Sequence, residues 1–185
     1  MRRTFIAINI NPDNRLKQLI KELKAALSVS RIKWVETENL HITLAFLGDT
    51  DEYKIGAVRD ILRSTCSSFN SFPLELRDIG LFRSLKDPRV IWLGVCPSKE
   101  LADLREAICI ELFESSIYND SRPFRPHLTI GRPKHLKEIS KLSGIISETR
   151  NKIIQTSIVD KVIFYESILK QEGPVYRVLG EYSLA

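Results

Sequence analysis

The sequence predicts an α+β fold in which the strands are antiparallel. Strand-like and helix-like segments alternate along the 185 residues, a pattern that first suggests a doubly wound parallel sheet. Two predicted hairpins, at residues 72–95 and 158–183, favour antiparallel sheets instead. No Gly-rich loop follows the first predicted strand, which disfavours a Rossmann or P-loop nucleotide site. No low-complexity linker divides the chain, so residues 1–185 are expected to form one domain.

The first half contains two strand–helix units. Residues 4–10 are apolar and β-prone, and Asn11 and Pro12 supply a cap residue and a proline suited to a first helical turn. Apolar residues then recur at helical spacing. A second β-prone run, LHITLAFL, is closed by Gly48 and Asp49. The predicted elements are a strand at 4–10, a helix at 12–28, a strand at 40–47 and a helix at 51–65.

The second half repeats this order. Ser98 can cap a helix with leucines at helical spacing, and a loop at 119–126, rich in Asn, Asp, Ser, Arg and Pro, precedes the next β-prone run. A turn at Gly173 and Pro174 separates the last two predicted strands. The predicted elements are strands at 72–82 and 89–95, a helix after Ser98, a strand at 127–131, a helix at 135–149, and strands at 158–166 and 174–183.

The composition is that of a globular chain, because 43% hydrophobic and 28% charged residues exclude a disordered one. The formal charge of +5 permits an anionic partner such as nucleic acid, but an ordinary solvated surface explains it equally well. Three scattered cysteines outside any C-x-x-C pair indicate reduced thiols. The apolar start of the chain is too short for a signal-peptide core and no run is long enough to span a membrane, so a cytoplasmic location is expected.

Two of the three histidines open nearly identical tetrads, HITL at 41–44 and HLTI at 127–130. The tetrads lie nearly half the chain apart, as expected if two similar lobes each contribute one copy. Side chains on a strand alternate between faces, so His41 and Thr43 point one way while the apolar residues of the tetrad point the other. If both strands face one cleft, that cleft contains two imidazoles and two hydroxyls.

Such a set of groups suits a phosphodiester or a cyclic phosphate. One histidine removes a proton from the attacking water, the other protonates the departing oxygen, and threonine hydroxyls donate hydrogen bonds to the nonbridging oxygens. Two alternatives stay open: a half-buried structural pair in each strand, and a metal site, for which three histidines without H-x-H or H-x-x-x-H spacing are a weak ligand set. His135 lacks the accompanying threonine and is expected on the surface.

Basic and aromatic residues near the tetrads are candidate ligand contacts. Arg122, Arg125 and Arg132 flank His127, and arginine forks bind phosphate oxygens bidentately. Gly131, before Arg132, would allow a substrate or backbone to come close. The aromatic residues that stack on a base or else belong to the core are Phe5, Trp34 and Phe82.

The extended motifs resemble those of the 2H phosphoesterases. The resemblance rests on WVETENLHITLAFLG at 34–48 and FRPHLTIGR at 124–132. Within that superfamily the chain is similar to the bacterial and archaeal RNA 2′,3′-cyclic phosphodiesterases, also called 2′-5′ RNA ligases, and RTFIAI at 3–8 and YES with GPVY at 165–176 match the same branch. The resemblance implies a bilobal fold in which two antiparallel sheets line a central cleft, with helices outside and approximate two-fold symmetry.

The resemblance also implies roles for single residues. His41 would be the proton donor to the leaving 3′ oxygen, and His127 the proton acceptor that activates water. The residues expected to bind phosphate are Thr43, Thr129 and Arg132, and those expected to contact RNA are Arg125, Phe5 and Phe82. No metal ion or cofactor is required by such a mechanism.

The expected partner is RNA that ends in a 2′,3′-cyclic phosphate, which would be hydrolysed to a 2′-phosphate. Joining of tRNA halves through a 2′-5′ linkage without ATP is a further expectation, as is a monomer with no obligate protein partner and no membrane. Two rival functions remain at this point. One is an RNA-end binding module without significant turnover, and the other is a 2H phosphodiesterase for another cyclic or 2′-5′ linked nucleotide.

Overall fold

The computed structural model of the protein describes residues 1–119, 122–171 and 173–185. Two residues of the loop predicted at 119–126 therefore lie outside the described residues. The described part of the chain forms nine strands and four α-helices. In chain order they are β1 Arg2–Asn9, α1 Asn14–Ala26, β2 Arg31–Trp34, β3 His41–Thr50, α2 Glu52–Cys66, β4 Phe72–Arg83, β5 Pro88–Val95, α3 Lys99–Glu114, β6 His127–His135, α4 Ile139–Thr149, β7 Ile153–Val159, β8 Lys161–Leu169 and β9 Pro174–Ser183.

The nine described strands form one continuous antiparallel sheet, rather than the two separate sheets expected, and its two halves meet at the tetrads. Their order is β7-β4-β5-β6-β3-β1-β8-β9, with β2 attached to β6 alone among the described strands. The join between the halves is narrow, because β3 and β6 pair only through Ile42 and Leu128 in the described register. Both hairpins predicted from the sequence are confirmed, one between β4 and β5 and one between β8 and β9. The antiparallel α+β fold is confirmed as well.

The two halves are related by an approximate two-fold symmetry. The unit β1-α1-β3-α2 in the first half of the chain corresponds to β5-α3-β6-α4 in the second. In each unit the two strands pair side by side, while the helix that connects them packs on the other half: α1 contacts β7 and α4, and α3 contacts β3 and α2. Each tetrad strand therefore lies at the centre of the molecule, held by elements from both halves.

Buried residues on the helix-facing side of the central strands fix their orientation. Ile42, Leu44, Leu128 and Ile130 are almost completely buried in the main hydrophobic core. Removing such side chains from water is the dominant favourable contribution to folding. Because neighbouring side chains on a strand point to opposite faces, this burial turns the histidine and threonine of each tetrad away from the core and toward the cleft.

The helix starts agree with the sequence in part. Ser98 caps α3 as predicted, through a hydrogen bond from the Leu101 amide. The prediction that Asn11 caps the first helix is wrong, because α1 begins two residues later than predicted. Asp13 caps it instead, accepting a hydrogen bond from the Leu16 amide at 2.8 Å. A carboxylate at this position satisfies an amide that has no partner within the helix.

Several predicted boundaries are too short or misplaced. β3 continues past Gly48 to Thr50, because its pairing with β1 persists to that residue. β6 continues to His135, where it pairs with β2, and the last helix accordingly starts at Ile139 rather than at residue 135. The strand predicted at 158–166 is the end of β7 and most of β8, separated by Asp160. β2 and most of β7 were not predicted.

Candidate active site

Both tetrads open onto one cavity at the junction of the two halves. Its volume is about 570 Å³. His41, Thr43, His127 and Thr129 all line it, as the strand periodicity predicts. Within the described chain neither threonine hydroxyl has a hydrogen-bond partner, so both can bind a ligand. The fold brings these four side chains together, although the two tetrads lie nearly half the chain apart in the sequence.

The two imidazoles are held in the same way. His41 Nδ1 lies 2.7 Å from the carbonyl oxygen of Asn39, and His127 Nδ1 lies 2.8 Å from that of Arg125. A carbonyl oxygen accepts but cannot donate, so Nδ1 carries the hydrogen in both rings. Each Nε2 is thereby left with its lone pair free in the neutral form, or with a proton to give in the charged form.

Aromatic rings fix the orientation of each imidazole. The His41 ring centroid lies 5.0 Å from that of Phe5 and 5.2 Å from that of Tyr176. In the other half, the His127 centroid lies 4.7 Å from that of Phe82, in an edge-to-face arrangement at 88°. Such pairs are favourable beyond the area that they bury.

Phe5 and Phe82 thus lie beside the histidines. Phe5 is only 3% exposed, so it offers no open ring face to a base. Phe82 is half-buried against His127 and Trp92, and neither phenylalanine is among the residues that line the cavity. Arg125 is exposed and outside the cavity lining, although its backbone carbonyl orients His127. Arg122 is exposed on the preceding loop.

A β-bulge follows the threonine in each tetrad strand. Leu44 on β3 and Ile130 on β6 are the extra residues, because the register of β1 against β3 and of β5 against β6 slips at these points. A bulge changes the face to which the following side chains point. The side chains five residues after each histidine, Phe46 in the first half and Arg132 in the second, are both exposed, and that of Arg132 lines the cavity.

These two positions carry different chemistry. Arg132 lines the cavity with a guanidinium group that can bind phosphate oxygens. Phe46 is 43% exposed, and the Arg3 guanidinium carbon lies 4.9 Å from its ring centroid, within the range of a cation–π contact. The sequence predicted Arg132 as a site residue. It did not predict that Phe46 is exposed, because the spacing of residues does not reveal a bulge.

The electrostatics of the cavity act on His41. Burial lowers its pKa below the ordinary value, the Asn39 carbonyl opposes this, and the nearby Arg132 and His127 lower the pKa further. Burial also raises the pKa of Tyr176, against the influence of Arg132 and Arg3. The His41 imidazole is therefore neutral in the empty site near pH 7, and its charged form is a comparatively strong acid.

Further cations surround the mouth of the cavity. Lys33 on β2 and Lys170 after β8 line it together with Arg132, and the carboxylate among the described lining residues is Glu36. Lys33 crosses toward the β8–β9 turn, where a Cβ atom on Gly173 would lie 2.9 Å from its Nζ. The described residues include no group of three or more His, Cys, Asp or Glu side chains placed to hold a metal ion.

The family can be assigned from comparisons with known proteins. The model of the LigT-like phosphoesterase family matches residues 6–92. A protein of Methanothermobacter thermautotrophicus, named RNA 2′,3′-cyclic phosphodiesterase, is 31% identical over 184 residues, covering 98% of each chain. One of the same name from Thermotoga maritima is 35% identical over 182 residues, covering 97% of this chain and 94% of its own. The chain belongs to the LigT-like phosphoesterases.

Solved structures agree with this assignment of the LigT-like family. E. coli LigT complexed with 3′-AMP superposes with a TM-score of 0.74 at 25% identity, covering 100% of this chain and 98% of that one. The protein TT0787 of Thermus thermophilus has a TM-score of 0.78 at 24% identity, covering 98% and 97%, and supports the fold alone. The 2H phosphoesterase resemblance and the bilobal fold inferred from the sequence are confirmed. None of the helices in the described ranges is long and apolar enough to cross a bilayer.

Some cavity residues of this LigT-like phosphoesterase were not predicted as site residues. Tyr176 comes from β9, and Lys170 lies in the turn between β8 and β9. The sequence segment GPVY marked the hairpin as part of the family pattern but gave no sign that its tyrosine contacts His41. Lys33 belongs to β2, a strand too short to be recognised from its pattern.

Proposed function

We propose that this protein hydrolyses 2′,3′-cyclic phosphate ends of RNA to 2′-phosphates by paired-histidine acid–base catalysis. The observation that carries the proposal is the matched pair of imidazoles on one cavity, each with Nδ1 bound to a backbone carbonyl and Nε2 free. Relatives that match nearly the whole chain are named RNA 2′,3′-cyclic phosphodiesterase, which supports the choice of substrate.

The proposed reaction is an attack of water on the cyclic phosphorus. His127 Nε2 takes a proton from the water as the new P–O bond forms. The bond between phosphorus and the 3′ oxygen breaks, and His41 Nε2 gives its proton to that oxygen. The products are a 2′-phosphate monoester and a 3′-hydroxyl, and one proton has moved from water to His127 while another has left His41. Exchange with solvent restores both rings for the next turnover.

The side chains beside the histidines bind the phosphate in this proposal. The Thr43 and Thr129 hydroxyls donate hydrogen bonds to nonbridging oxygens, and the Arg132 guanidinium stabilises the charge that develops on them in the transition state. A cation that is already in place has no reorganisation to undergo during the reaction. Such a preorganised group therefore contributes strongly to the rate.

The electrostatics support His41 as the proton donor. Its lowered pKa makes the charged imidazole a readier donor, and the negative cyclic phosphate favours that charged form when it enters the cavity. The empty site holds His41 neutral, so substrate binding and proton uptake at His41 are coupled.

Joining of RNA ends is a second candidate function of the same site. A 5′-hydroxyl in place of water would give a 2′-5′ phosphodiester through the same two proton transfers, with the 3′ oxygen again leaving, so no further catalytic group is required. The cations Lys33 and Lys170 at the cavity mouth favour this candidate, since a second RNA end brings additional phosphates. Within the proposal the protein acts as a cytoplasmic monomer on RNA ends such as those of tRNA halves, without a metal ion or nucleotide cofactor.

Product analysis by mass spectrometry tests the proposed function. The purified protein is incubated, in the presence of EDTA, with RNA ending in a 2′,3′-cyclic phosphate, with cyclic mononucleotides and with 2′-5′ linked dinucleotides, with and without 5′-hydroxyl RNA. We expect cyclic RNA ends to become 2′-phosphates. A 3′-phosphate product would contradict the assigned leaving oxygen, and binding without product would establish the RNA-end binding module. Activity that is seen without EDTA and lost when EDTA is present would establish a metal enzyme.

A further inference from the structure

Among the described strands, β2 has no counterpart in the two-fold arrangement. It lies between α1 and β3, and among the described strands it pairs only with the outer half of β6. We call residues 31–34 and 131–137, which comprise β2, the end of β6 and the two residues after it, the basic ribbon. Lys33 and Arg132 pair across this ribbon and both line the catalytic cavity, so the ribbon continues directly from the site.

The basic ribbon carries the whole excess of positive charge of the chain. Its two segments, RIKW and GRPKHLK, contain five Lys or Arg residues and no acidic residue. Removing those five from the 28 basic residues of the chain leaves 23, which equals the number of acidic residues. The five residues, all exposed, are Arg31, Lys33, Arg132, Lys134 and Lys137.

These cations are not neutralised by neighbours. Over the described ranges no ion pair involves any of the five, whereas other basic residues such as Arg2, Arg63 and Lys161 are paired with carboxylates. The acidic group nearest in sequence, Glu138, already accepts hydrogen bonds from the Val29 amide and the Ser30 hydroxyl. A row of unpaired cations on one exposed face is what a polyanion binds.

The spacing along the ribbon suits a single nucleic acid strand. Exposed residues two apart on a strand, such as Arg31 and Lys33, are separated by about 6.6 Å. On β6 the register against β2 slips at Lys134, which is exposed as an extra residue of that strand. A second cavity of about 440 Å³ shares Lys33, Trp34 and Glu36 with the catalytic one, so open surface continues from the site to the edge of β2. The positive charges that line the catalytic cavity, on Lys33, Arg132 and Lys170, also outnumber the single negative charge of a cyclic phosphate.

We propose that the basic ribbon binds the phosphates of the RNA strand that leads to the cyclic end, so that the strand leaves the cavity along β2 and β6. This inference rests on the proposed function, because it assumes that the terminal phosphate lies between His41 and His127. Arg31 and Lys134 contact phosphates upstream of the terminal nucleotide and take no part in the chemistry. Affinity then depends on RNA length and on salt, while hydrolysis of a cyclic mononucleotide does not depend on Arg31 or Lys134, which lie outside the cavity lining.

The test uses the double variant Arg31→Gln/Lys134→Gln. Its matched control is Lys17→Gln/Lys21→Gln on α1, which removes the same charge from exposed positions elsewhere. Hydrolysis of a 2′,3′-cyclic mononucleotide and of a cyclic-ended RNA of about eight nucleotides is measured for each protein. For the wild type and the control we expect kcat/KM to be about tenfold or more higher on the longer RNA, and for the ribbon variant we expect most of that gain to be lost.

Binding separates this inference from the proposed function. The affinity for the same RNA, already opened to a 2′-phosphate, is measured by fluorescence anisotropy across a salt series. Loss of two phosphate contacts lowers the slope of log Kd against log salt by about 1.4 for single-stranded RNA. An unchanged slope, or equal changes in the ribbon variant and the control, would overturn the proposal even if the mononucleotide is hydrolysed. A lower slope would uphold the ribbon even if no hydrolysis is found.

Discussion

The two tetrads share the features that acid–base catalysis requires and differ in those that would give the reaction a direction. In both, the imidazole is bound through Nδ1 to a carbonyl two residues earlier, packed against aromatic rings, and followed by a β-bulge. The residue five positions after the histidine is Phe46 in the first half, which lies outside the cavity lining, and Arg132 in the second, which lines the cavity. The basic ribbon is attached to β6, the strand of His127.

The features shared by the two halves hold the imidazoles in place, and the features that differ match the two sides of the substrate. Any histidine that exchanges protons through Nε2 needs a fixed ring and a fixed Nδ1 hydrogen, so both halves have the same supports. A cyclic phosphate has distinct attacked and leaving sides, so the groups around the two rings must differ. Burial and the nearby positive charges of Arg132 and His127 lower the pKa of His41.

The largest expected effect comes from removing either histidine. We expect His41→Ala and His127→Ala each to lower kcat/KM for a cyclic mononucleotide by about 10²–10⁴-fold, because each removes a group that transfers a proton in the transition state. His135→Ala is the matched control, since His135 is exposed at the end of β6 and lies outside the cavity. Near wild-type activity in either tetrad variant would show that its histidine does not transfer a proton in the reaction.

The next effect separates the two positions that follow the bulges. We expect Arg132→Gln to lower kcat by about 10²–10³-fold, because it removes a donor to the charge of the transition state. Arg132→Lys should recover only part of this loss, since an ammonium group lacks the bidentate fork. Phe46→Leu should leave kcat near the wild-type value, because Phe46 does not line the cavity, and steady-state kinetics of the three variants measure the difference. Equal losses at both positions would mean that the halves are functionally equivalent.

A smaller effect is expected from the rings that support the histidines. Phe5 is buried and Phe82 half-buried, so Phe5→Leu should lower the melting temperature more than Phe82→Leu. Both should lower kcat by about tenfold with little change in KM, because an imidazole displaced by a fraction of an ångström transfers its proton less well. If KM rose and kcat did not change, the rings would be contacting the substrate instead.

The smallest expected effect is a shift in the pKa of His41. We expect the NMR titration of His41 in the free protein to have a midpoint below the ordinary histidine value, because burial and Arg132 disfavour its charged form. Binding of inorganic phosphate should raise this pKa, since an anion favours the charged ring, and Arg132→Gln should raise it in the free protein. A His41 pKa at or above the ordinary value in the free protein would mean that burial and Arg132 do not govern its titration.

The sequence predicted the central strands well because their pattern is local. Period-two alternation places the histidine and threonine of each tetrad on one face, and the buried Ile42 and Leu128 fix which face that is. The family resemblance then indicated the bilobal fold. These conclusions needed no knowledge of which strands are neighbours.

The features that were not predicted depend on distant partners. β2 has only four residues and exists because β6 pairs with it, and the bulges are register slips that only the neighbouring strand defines. Tyr176 reaches His41 from the last strand of the chain. Phe5 was considered for base stacking because aromatic residues near a site often stack, and its burial depends on Tyr165 and Tyr176, more than 150 residues away.

One measurement tests most directly the claim that the two histidines have separate proton roles. A cyclic substrate in which sulfur replaces the 3′ bridging oxygen has a leaving group that needs no protonation. We predict that the loss caused by His41→Ala, about 10²-fold or more on the oxygen substrate, shrinks to less than about tenfold on the sulfur substrate, while the loss caused by His127→Ala persists. Persistence of both losses, or rescue of His127→Ala instead, would contradict the assignment of His41 as the proton donor.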